Sequence, residues 1–318
     1  MMPAQNVTIV GGGMIGRGWI IAFARAGLRT TIWSRTPETS QSAIEFIQSV
    51  LPPLEAEGLL QGRSAAEVAD NVHIENDLKT ALADADYVQE NAPEDIESKR
   101  ALFEFLDKNT ADHAVIGSST SAIQPSVFME ELRGRERCLV VHPMNPPYLM
   151  PATELVPSPW TSTETIDRAC EIMTSIGQKP IIVHKEIDGF IINRLQGAVL
   201  NEAFSLVGRG YASIEDVDVA IKEGLALRWS FMGPFETIDL NAPDGVRDYA
   251  ARYNGLYANL HNQMRDRTDW TGPVLDAVVE DRRARLPTSG LNERQIWRDR
   301  RLMALAVHKR DSDNRFGD

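Results

Sequence analysis

The sequence predicts an α/β, doubly wound domain over residues 1–187 and an all-α domain over residues 188–318. Short apolar runs alternate with helical periodicity up to about residue 187, which is typical of parallel strands joined by right-handed crossovers. From Gly189 onward the helical periodicity continues without a good strand. A chain of 318 residues is also longer than one hydrophobic core usually supports. Two domains of different class follow from these observations.

The elements of the first domain can be assigned from apolar runs and helical periodicity. We expect strands at residues 6–10, 29–33, 86–88, 114–117, 138–141 and 180–183. The helical patterns between them cover residues 14–26, 40–58, 96–106, 125–132 and 163–176. Pro52 and Pro53 are expected to interrupt the second of these helices. In the second domain, helical patterns cover residues 190–207, 214–223 and 234–240, followed by amphipathic stretches to the C-terminus.

Composition excludes several classes of protein. The net charge of −12 argues against nucleic acid or an anionic membrane as a partner, because a phosphate lattice needs a concentrated basic face. A small anionic substrate remains compatible with this charge. The two cysteines are too few for a disulfide framework or a structural zinc site, and the six histidines show no metal-ligand spacing, so we expect no metal. No secretory leader or run of about 18 apolar residues is seen, which favours a cytoplasmic protein.

A glycine-rich fingerprint follows the first predicted strand. The run VTIV leads into GGGMIG, with Met14 and Ile15 inside the loop, and a helical pattern comes next. Gly11 permits the tight turn, Gly13 lets the backbone approach a pyrophosphate, and Gly16 allows the helix to pack close to the strand. The pyrophosphate would lie at the helix N-terminus, where free N–H groups favour anions. The sequence therefore predicts a Rossmann-type dinucleotide site.

The end of the second strand indicates which dinucleotide is bound. An NAD site usually carries Asp or Glu there, to accept a hydrogen bond from the ribose 2′-hydroxyl. Ser34 and Arg35 stand at this point instead, and a guanidinium suits a 2′-phosphate. This exchange favours NADP over NAD, although NAD remains possible, since an arginine in a loop after a strand is often only solvated.

One histidine lies at the end of a buried-looking strand. His142 occurs in VVHPMNPP, and the carboxyl ends of strands in such sheets face the ligand crevice. A lone histidine there is more often structural than catalytic. Glu154 lies on a short extended run that could pair beside this strand, and a carboxylate on the far ring nitrogen would fix the tautomer of a general base. Ser121, which follows another strand, could hydrogen-bond the reacting oxygen.

These residues resemble the 3-hydroxyacyl-CoA dehydrogenase superfamily. The resemblance runs through GGGMIG, ENAPED, SSTS, HPMNPP, the Glu of TELV, GFIINRL and MGPFE, and it is greatest to the lambda-crystallin / L-gulonate 3-dehydrogenase branch. It implies a Rossmann domain, a helical domain that mediates homodimer formation, and oxidation at a 3-hydroxyl. It also implies functional roles by motif position: His142 as general base, Glu154 as its partner, Ser121 and Asn193 on the substrate, and Glu94, Lys99 and Asn145 on the nicotinamide side.

Two departures from the family pattern concern the ligands. Ser34 replaces the family's usual acidic residue, which puts its NAD preference in doubt. Acyl-CoA members are rich in lysine after the second strand, whereas residues 36–62 contain neither Lys nor Arg. A small anionic hydroxy acid is therefore the expected substrate. Arg228, which matches an arginine of the gulonate-type motif, is the candidate carboxylate clamp, although it could be a surface arginine.

Several alternatives remain open at this point. The rival enzymes are a 3-hydroxyacyl-CoA dehydrogenase and an L-carnitine dehydrogenase, and the latter would need aromatic or acidic groups around a quaternary ammonium. The non-enzyme alternatives are a crystallin-like structural protein and a cofactor-binding regulator. Retention of His142, Glu154, Ser121 and Asn193 argues against the crystallin-like role.

Overall fold

The computed structural model describes residues 4–317 and contains two compact units. The first unit runs to Arg194 and includes Arg298–His308, and the second comprises Leu195–Trp297 together with the residues from Lys309 onward. The predicted α/β and all-helical classes are both confirmed. The domain boundary near residue 187 stays a prediction.

The first unit is built on one eight-stranded sheet. Its strands are β1 Asn6–Val10, β2 Arg29–Trp33, β3 Val72–Ile74, β4 Tyr87–Glu90, β5 Val115–Ser118, β6 Cys138–Pro143, β7 Ala152–Pro157 and β8 Lys179–Ile182. The order in the sheet is β3-β2-β1-β4-β5-β6-β7-β8, and every neighbouring pair is parallel except β6 and β7. The order reverses between β1 and β4, which is where open sheets of this kind bind ligands.

Each predicted strand is confirmed to within two residues at either end. Strand β3, which has only three residues and no fully buried position, is not predicted from the sequence. Strand β7 is predicted only as an extended run, because it follows a proline-rich loop instead of the helix that precedes a parallel strand.

Helices connect these strands: α1 Met14–Arg25, α2 Pro37–Ala56, α3 Ala65–Asp70, α4 Leu78–Leu82, α5 Ile96–Asn109, α6 Pro125–Met129 and α7 Thr163–Ser175. The expectation that Pro52 and Pro53 interrupt the second helix is wrong, because α2 continues through both. Each proline removes one backbone N–H donor from the helix, and the buried side chains of Leu51 and Leu54 hold this last turn on the core.

Apolar clusters cover both faces of the sheet. Ile9 and Val10 are neighbours on β1 but belong to different clusters, as do Val140 and Val141 on β6. Side chains of consecutive strand residues point to opposite faces, so both faces of the sheet are buried. The polar positions available for chemistry are therefore those at the strand ends.

The second unit is helical, as predicted. Its elements are α8 Ile192–Gly208, α9 Ile214–Val219, a π-helical segment Ala220–Leu225, α10 Ala226–Trp229, α11 Pro234–Asp239, α12 Gly245–Gln263, α13 Gly272–Arg285 and α14 Leu291–Phe316, of which α8 begins and α14 continues in the first unit. Within residues 4–317, no helix has the length and apolar character needed to cross a bilayer. In the same range, no three His, Cys, Asp or Glu side chains form a group that could hold a metal ion.

Candidate active site

The glycine loop between β1 and α1 has the shape of an anion cradle. Gly11 has a φ of 102°, and a Cβ at Gly16 would lie 1.8 Å from the carbonyl oxygen of Gly11. A Cβ on Gly13 would meet none of the described atoms within 4 Å, so the backbone there is open to a ligand. Helix α1 begins directly after Gly13 without a side-chain cap, which leaves its first N–H groups available. These features fit the pyrophosphate of a dinucleotide.

A cleft of about 330 Å³ adjoins this loop. It is lined by Gly12, Gly13, Met14, Arg17, Glu38, Thr39, Ser42 and Ala43, from the starts of α1 and α2. Ser34 lies nearby but is turned inward, where its Oγ accepts a hydrogen bond from the N–H of Gly12 at 3.0 Å. Arg35 is exposed and makes no hydrogen bond or ion pair with the other residues described. Of the two residues predicted to select the cofactor, Arg35 is the one free to reach a ligand.

His142 and Glu154 meet through the pairing of β6 with β7. The antiparallel register places the two residues directly opposite each other, and Nδ1 of His142 lies 2.7 Å from Oε2 of Glu154. Both side chains are buried, and the structure thus brings the two predicted residues into contact. No partner for Nε2 of His142 is found within residues 4–317. If Nδ1–H donates to Glu154, Nε2 is the unprotonated nitrogen and can accept a proton.

The other oxygen of Glu154 is held by backbone. Oε1 accepts hydrogen bonds from the N–H groups of Ile191 at 2.6 Å and Ile192 at 2.9 Å. Burial raises the pKa of Glu154, but the hydrogen bonds from His142, Ile192 and Ile191 outweigh it and leave the pKa below its ordinary value. Glu154 is therefore an ionised carboxylate that orients the imidazole.

Ser121 and Asn193 belong to a second cluster. Nδ2 of Asn193 donates to the carbonyl oxygen of Ser121 at 2.9 Å, so these two predicted substrate contacts lie side by side. Glu94 accepts from the N–H of Ser121 and from the hydroxyl of Thr120, each at 2.6 Å. Ile192, which contacts Glu154, directly precedes Asn193. The segment of residues 191–193 thus connects both clusters.

Lys99 is not exposed at the strand ends. Its side chain is buried, and Nζ lies 2.8 and 2.9 Å from the two carboxylate oxygens of Glu90, the last residue of β4. Ser118, the last residue of β5, donates to the same carboxylate. Sequence reasoning missed Glu90, because a residue at the end of an apolar strand gives no sign of a buried ion pair. The available signal was the ENAPED motif, which begins with Glu90 and lies a few residues before Lys99.

Asn145 and Met14 are brought together from different loops. Nδ2 of Asn145 lies 3.3 Å from the sulfur of Met14, next to the glycine cradle. Ile15 is half-buried within the first turn of α1. Arg228 belongs to the helical unit, where it lies on α10 and is half-buried. Its guanidinium makes no hydrogen bond or ion pair with any residue that the structure describes.

Comparisons with known proteins agree with this architecture. Residues 6–187 match the family model of the 3-hydroxyacyl-CoA dehydrogenase NAD-binding domain, and residues 189–289 match that of the C-terminal domain of the same family. A lambda-crystallin homolog of Bos taurus is 39% identical over 307 residues, covering 96% of this chain and 95% of the relative. An L-carnitine dehydrogenase of Bacillus cereus is 35% identical over 301 residues, covering 95% of this chain and 91% of the relative.

A solved structure extends the likeness to the whole fold. The 5-formyl-3-hydroxy-2-methylpyridine 4-carboxylic acid 5-dehydrogenase, described as an NAD+-dependent dismutase, superposes with a TM-score of 0.82 at 26% identity and covers 96% of this chain and 97% of its own. The two family models together match most of this chain. The chain therefore belongs to the 3-hydroxyacyl-CoA dehydrogenase family, and its N-terminal part is the NAD-binding domain of an oxidoreductase.

Proposed function

We propose that this protein oxidises the 3-hydroxyl of a small free 3-hydroxy acid similar to L-gulonate, with a nicotinamide dinucleotide as cofactor. The observation that carries the proposal is the buried His142–Glu154 pair at the carboxyl end of β6, in the sheet that bears the glycine cradle. A dehydrogenase needs a base near the carbinol, and an imidazole held by a carboxylate is suited to that task.

Each residue has a part in the proposed reaction. Nε2 of His142 takes the proton of the substrate hydroxyl, and the Glu154 carboxylate stabilises the imidazolium that forms. Ser121 and Asn193 bind the substrate oxygen. The glycine cradle and the start of α1 would hold the pyrophosphate, and Glu94 and Asn145 would lie toward the nicotinamide. A bound nicotinamide would supply the acceptor for the hydride of the carbinol carbon.

The surface of α2 favours a free acid over an acyl-CoA. Glu38, Glu45 and Glu55 are all exposed on this helix, and residues 36–62 contain no Lys or Arg. The phosphates of coenzyme A would meet negative charge there without a compensating cation. The dismutase that shares the fold is named for a substrate that is a carboxylic acid.

Arg228 is the proposed clamp for the substrate carboxylate. A guanidinium binds a carboxylate through two parallel hydrogen bonds. The guanidinium of Arg228 has no hydrogen-bond or ion-pair partner among the described residues, so its donors are free for a ligand.

The cofactor preference follows from the turn after β2. Arg35 is exposed and free, and no carboxylate occupies the position after the strand. Ser34 serves the glycine loop rather than a ribose. We therefore propose that NADP(H) is preferred over NAD(H).

One observation favours a second candidate, oxidation of a substrate like L-carnitine. Three tyrosine rings form a row on α12, with ring centroids 4.6 Å apart for Tyr249 and Tyr253 and 6.4 Å apart for Tyr249 and Tyr257. Aromatic faces attract quaternary ammonium groups. L-carnitine dehydrogenases are among the relatives of this chain.

We also propose that the protein forms a homodimer through the helical unit. Large apolar side chains are exposed there, among them Phe231 at 69%, Phe235 at 78% and Leu240 at 67%. Exposed apolar patches of this kind mark interaction surfaces.

The central test replaces the proposed base. His142→Ala removes the proton acceptor, so kcat should fall by about 10²–10⁴-fold, while dinucleotide affinity should stay unchanged because the glycine cradle is intact. Steady-state absorbance at 340 nm and dinucleotide titration measure the two effects. His184→Ala, a change outside the site, is the control. Parent-like turnover in the His142 variant would remove the proposed mechanism.

The substrate class is tested by a screen. Free 3-hydroxy acids, L-carnitine and 3-hydroxyacyl-CoAs should be assayed with both NAD and NADP, and free acids should give the highest kcat/KM. Arg228→Ala should raise KM for free acids by about tenfold to a hundredfold, because a charge-assisted hydrogen bond contributes about 1.5–3 kcal/mol. Arg265→Ala, an exposed arginine of the same unit, is the matched control. An unchanged KM in the Arg228 variant would contradict the clamp, and faster turnover of acyl-CoAs would contradict the free acid.

A further inference from the structure

Phe190 has an unusual backbone conformation for a bulky residue. Its φ is 49°, in the left-handed region, and its side chain is fully buried. Among the described residues, Gln61 is the other non-glycine residue with positive φ, and it is exposed in a loop. Left-handed backbone at a non-glycine residue carries strain of about 1–3 kcal/mol and persists where the surrounding structure enforces it. The conformation of Phe190 therefore needs a physical reason.

The turn at this point presents two backbone donors to one carboxylate. Gly189 has a φ of 73° and precedes Phe190, so two left-handed residues occur in succession. The next two N–H groups, those of Ile191 and Ile192, both point to Oε1 of Glu154, at 2.6 and 2.9 Å. Successive N–H groups that converge in this way form a concave site for an anion. The strained turn thus shapes the pocket of the Glu154 carboxylate.

The Phe190 ring contacts the other member of the pair. Its centroid lies 5.5 Å from that of the His142 ring, at an interplanar angle of 59°. Nδ1 of His142 is held by Oε2 of Glu154, so the imidazole is fixed by a hydrogen bond on one atom and by the aromatic ring beside it. Phe190 therefore contacts His142 through its ring and shapes the site of the Glu154 carboxylate through its backbone.

We propose that Phe190 is a positioning residue for the His142–Glu154 pair. Its left-handed backbone directs two N–H groups to the carboxylate, and its ring limits rotation of the imidazole. This inference rests on the proposed function for its effect on turnover. The same turn opens α8, so Phe190 also sets the start of the helix that carries Asn193.

A simple role in core packing is the competing explanation. Phe190 belongs to an apolar cluster that includes Val140 and Val183. If Phe190 only filled space, leucine and isoleucine at this position would have the same effect. Both would lower the stability of the protein, and neither would lower turnover by the folded protein. A positioning residue would distinguish these two isomers, because β-branched isoleucine is much less compatible with positive φ than leucine.

The experiment compares Phe190→Leu with Phe190→Ile. Leucine removes the ring but tolerates the turn better, so kcat should fall about tenfold. Isoleucine also opposes the turn, so kcat should fall by about a further tenfold. Dinucleotide affinity should stay within about twofold of the parent value in both variants. Phe103→Leu, which alters another fully buried phenylalanine of the same unit, should lower Tm and leave kcat unchanged.

A second readout does not depend on turnover. Carboxyl ¹³C NMR of labelled glutamate, with the signal assigned by Glu154→Gln, follows the ionisation of Glu154. The carboxyl should titrate at higher pH in Phe190→Ile than in Phe190→Leu, because the isoleucine variant loses backbone donors to the carboxylate. Parent-like kcat in both Phe190 variants, or the same Glu154 titration in both, would overturn the proposal. Turnover that survives His142→Ala would instead refute the proposed function, and the NMR comparison would still test the positioning role.

Discussion

Glu154 accepts three hydrogen bonds at a position that solvent does not reach. His142 supplies one of them and the backbone at residues 191–192 supplies two. An ionised carboxylate in such a place is tolerable only because its lone pairs are satisfied. The same donors keep it ionised, which is the state that an imidazole base requires of its partner. The hydrogen bonds that make the buried carboxylate of Glu154 tolerable therefore also keep it ionised beside the imidazole.

The lowered pKa of Glu154 predicts a pH-dependent contribution to stability. A carboxyl whose pKa is lower in the folded than in the unfolded state adds stability above its unfolded value, near 4.5, and loses it as the pH falls through the folded pKa. At pH 7, Glu154→Gln should lower the free energy of unfolding by about 1–3 kcal/mol.

Urea unfolding of parent and variant between pH 3 and 8 measures this difference. The difference should be constant above about pH 5 and should shrink below it. Gln48→Ala, at an exposed non-titrating position of α2, is the control and should show no such trend. A difference that grows as the pH falls would contradict the assignment of an ionised Glu154.

Lys99 and Glu90 show that residue type alone does not predict whether a charged side chain contacts a ligand or is buried in an ion pair. The sequence marks Lys99 as a possible cofactor contact, but its ammonium is buried against Glu90 and Ser118 at the ends of β4 and β5. Whether a long cationic side chain reaches outward or folds beneath a loop depends on tertiary partners that the local sequence does not name. The ion pair ties together the strand ends that carry Glu94 and Ser121.

At the scale of secondary-structure elements, the turn between β2 and α2 determines which side chains face the proposed cofactor site. Ser34 is tied to Gly12, so the first residue after β2 supports the glycine loop, and Arg35 is presented to solvent. The hydroxyl of Ser34 therefore has a structural role, and the guanidinium of Arg35 is left for the proposed contact with the cofactor.

The proposed cofactor preference predicts the effect of changing this turn. Arg35→Gln removes the guanidinium and should lower kcat/KM for NADP by about tenfold to a hundredfold, with little effect on NAD. Initial rates with each dinucleotide measure both effects, and Arg29→Gln, at the exposed start of β2, is the control. An unchanged NADP/NAD ratio in the Arg35 variant would exclude a role for Arg35.

The antiparallel pairing of β6 with β7 brings together the two residues of the proposed catalytic pair. Its register sets His142 opposite Glu154, and a slip of one residue would turn one of the side chains to the other face of the sheet. The twelve-residue spacing along the chain is compatible with such a meeting but does not require it.

At the scale of the whole molecule, the two units differ in how completely they bury apolar side chains. The α/β unit encloses its clusters on both faces of the sheet, whereas the helical unit exposes Leu227, Phe231, Phe235 and Leu240. A second copy is the partner that we propose for this surface.

The proposed homodimer predicts a molar mass of twice 35.4 kDa by light scattering. Phe231→Asp combined with Phe235→Asp should convert the protein to monomers, because charges on a buried apolar interface lack partners. Lys222→Asp, at an exposed polar position of the same unit, should leave the mass unchanged. A monomeric parent protein at micromolar concentration would contradict the proposal.

The sequence by itself determined the fold class, most strands and the glycine cradle, because hydrophobic period and glycine spacing are local and are written directly in the residue order. It also selected His142, Glu154, Ser121 and Asn193 as candidates. Only the tertiary structure decided that Ser34 turns inward, that Lys99 is buried on Glu90, and that the turn at Phe190 holds Glu154. Those outcomes depend on which polar side chains find hydrogen-bond or ion-pair partners once strands from distant parts of the chain lie side by side. The order of residues along the chain does not contain that information.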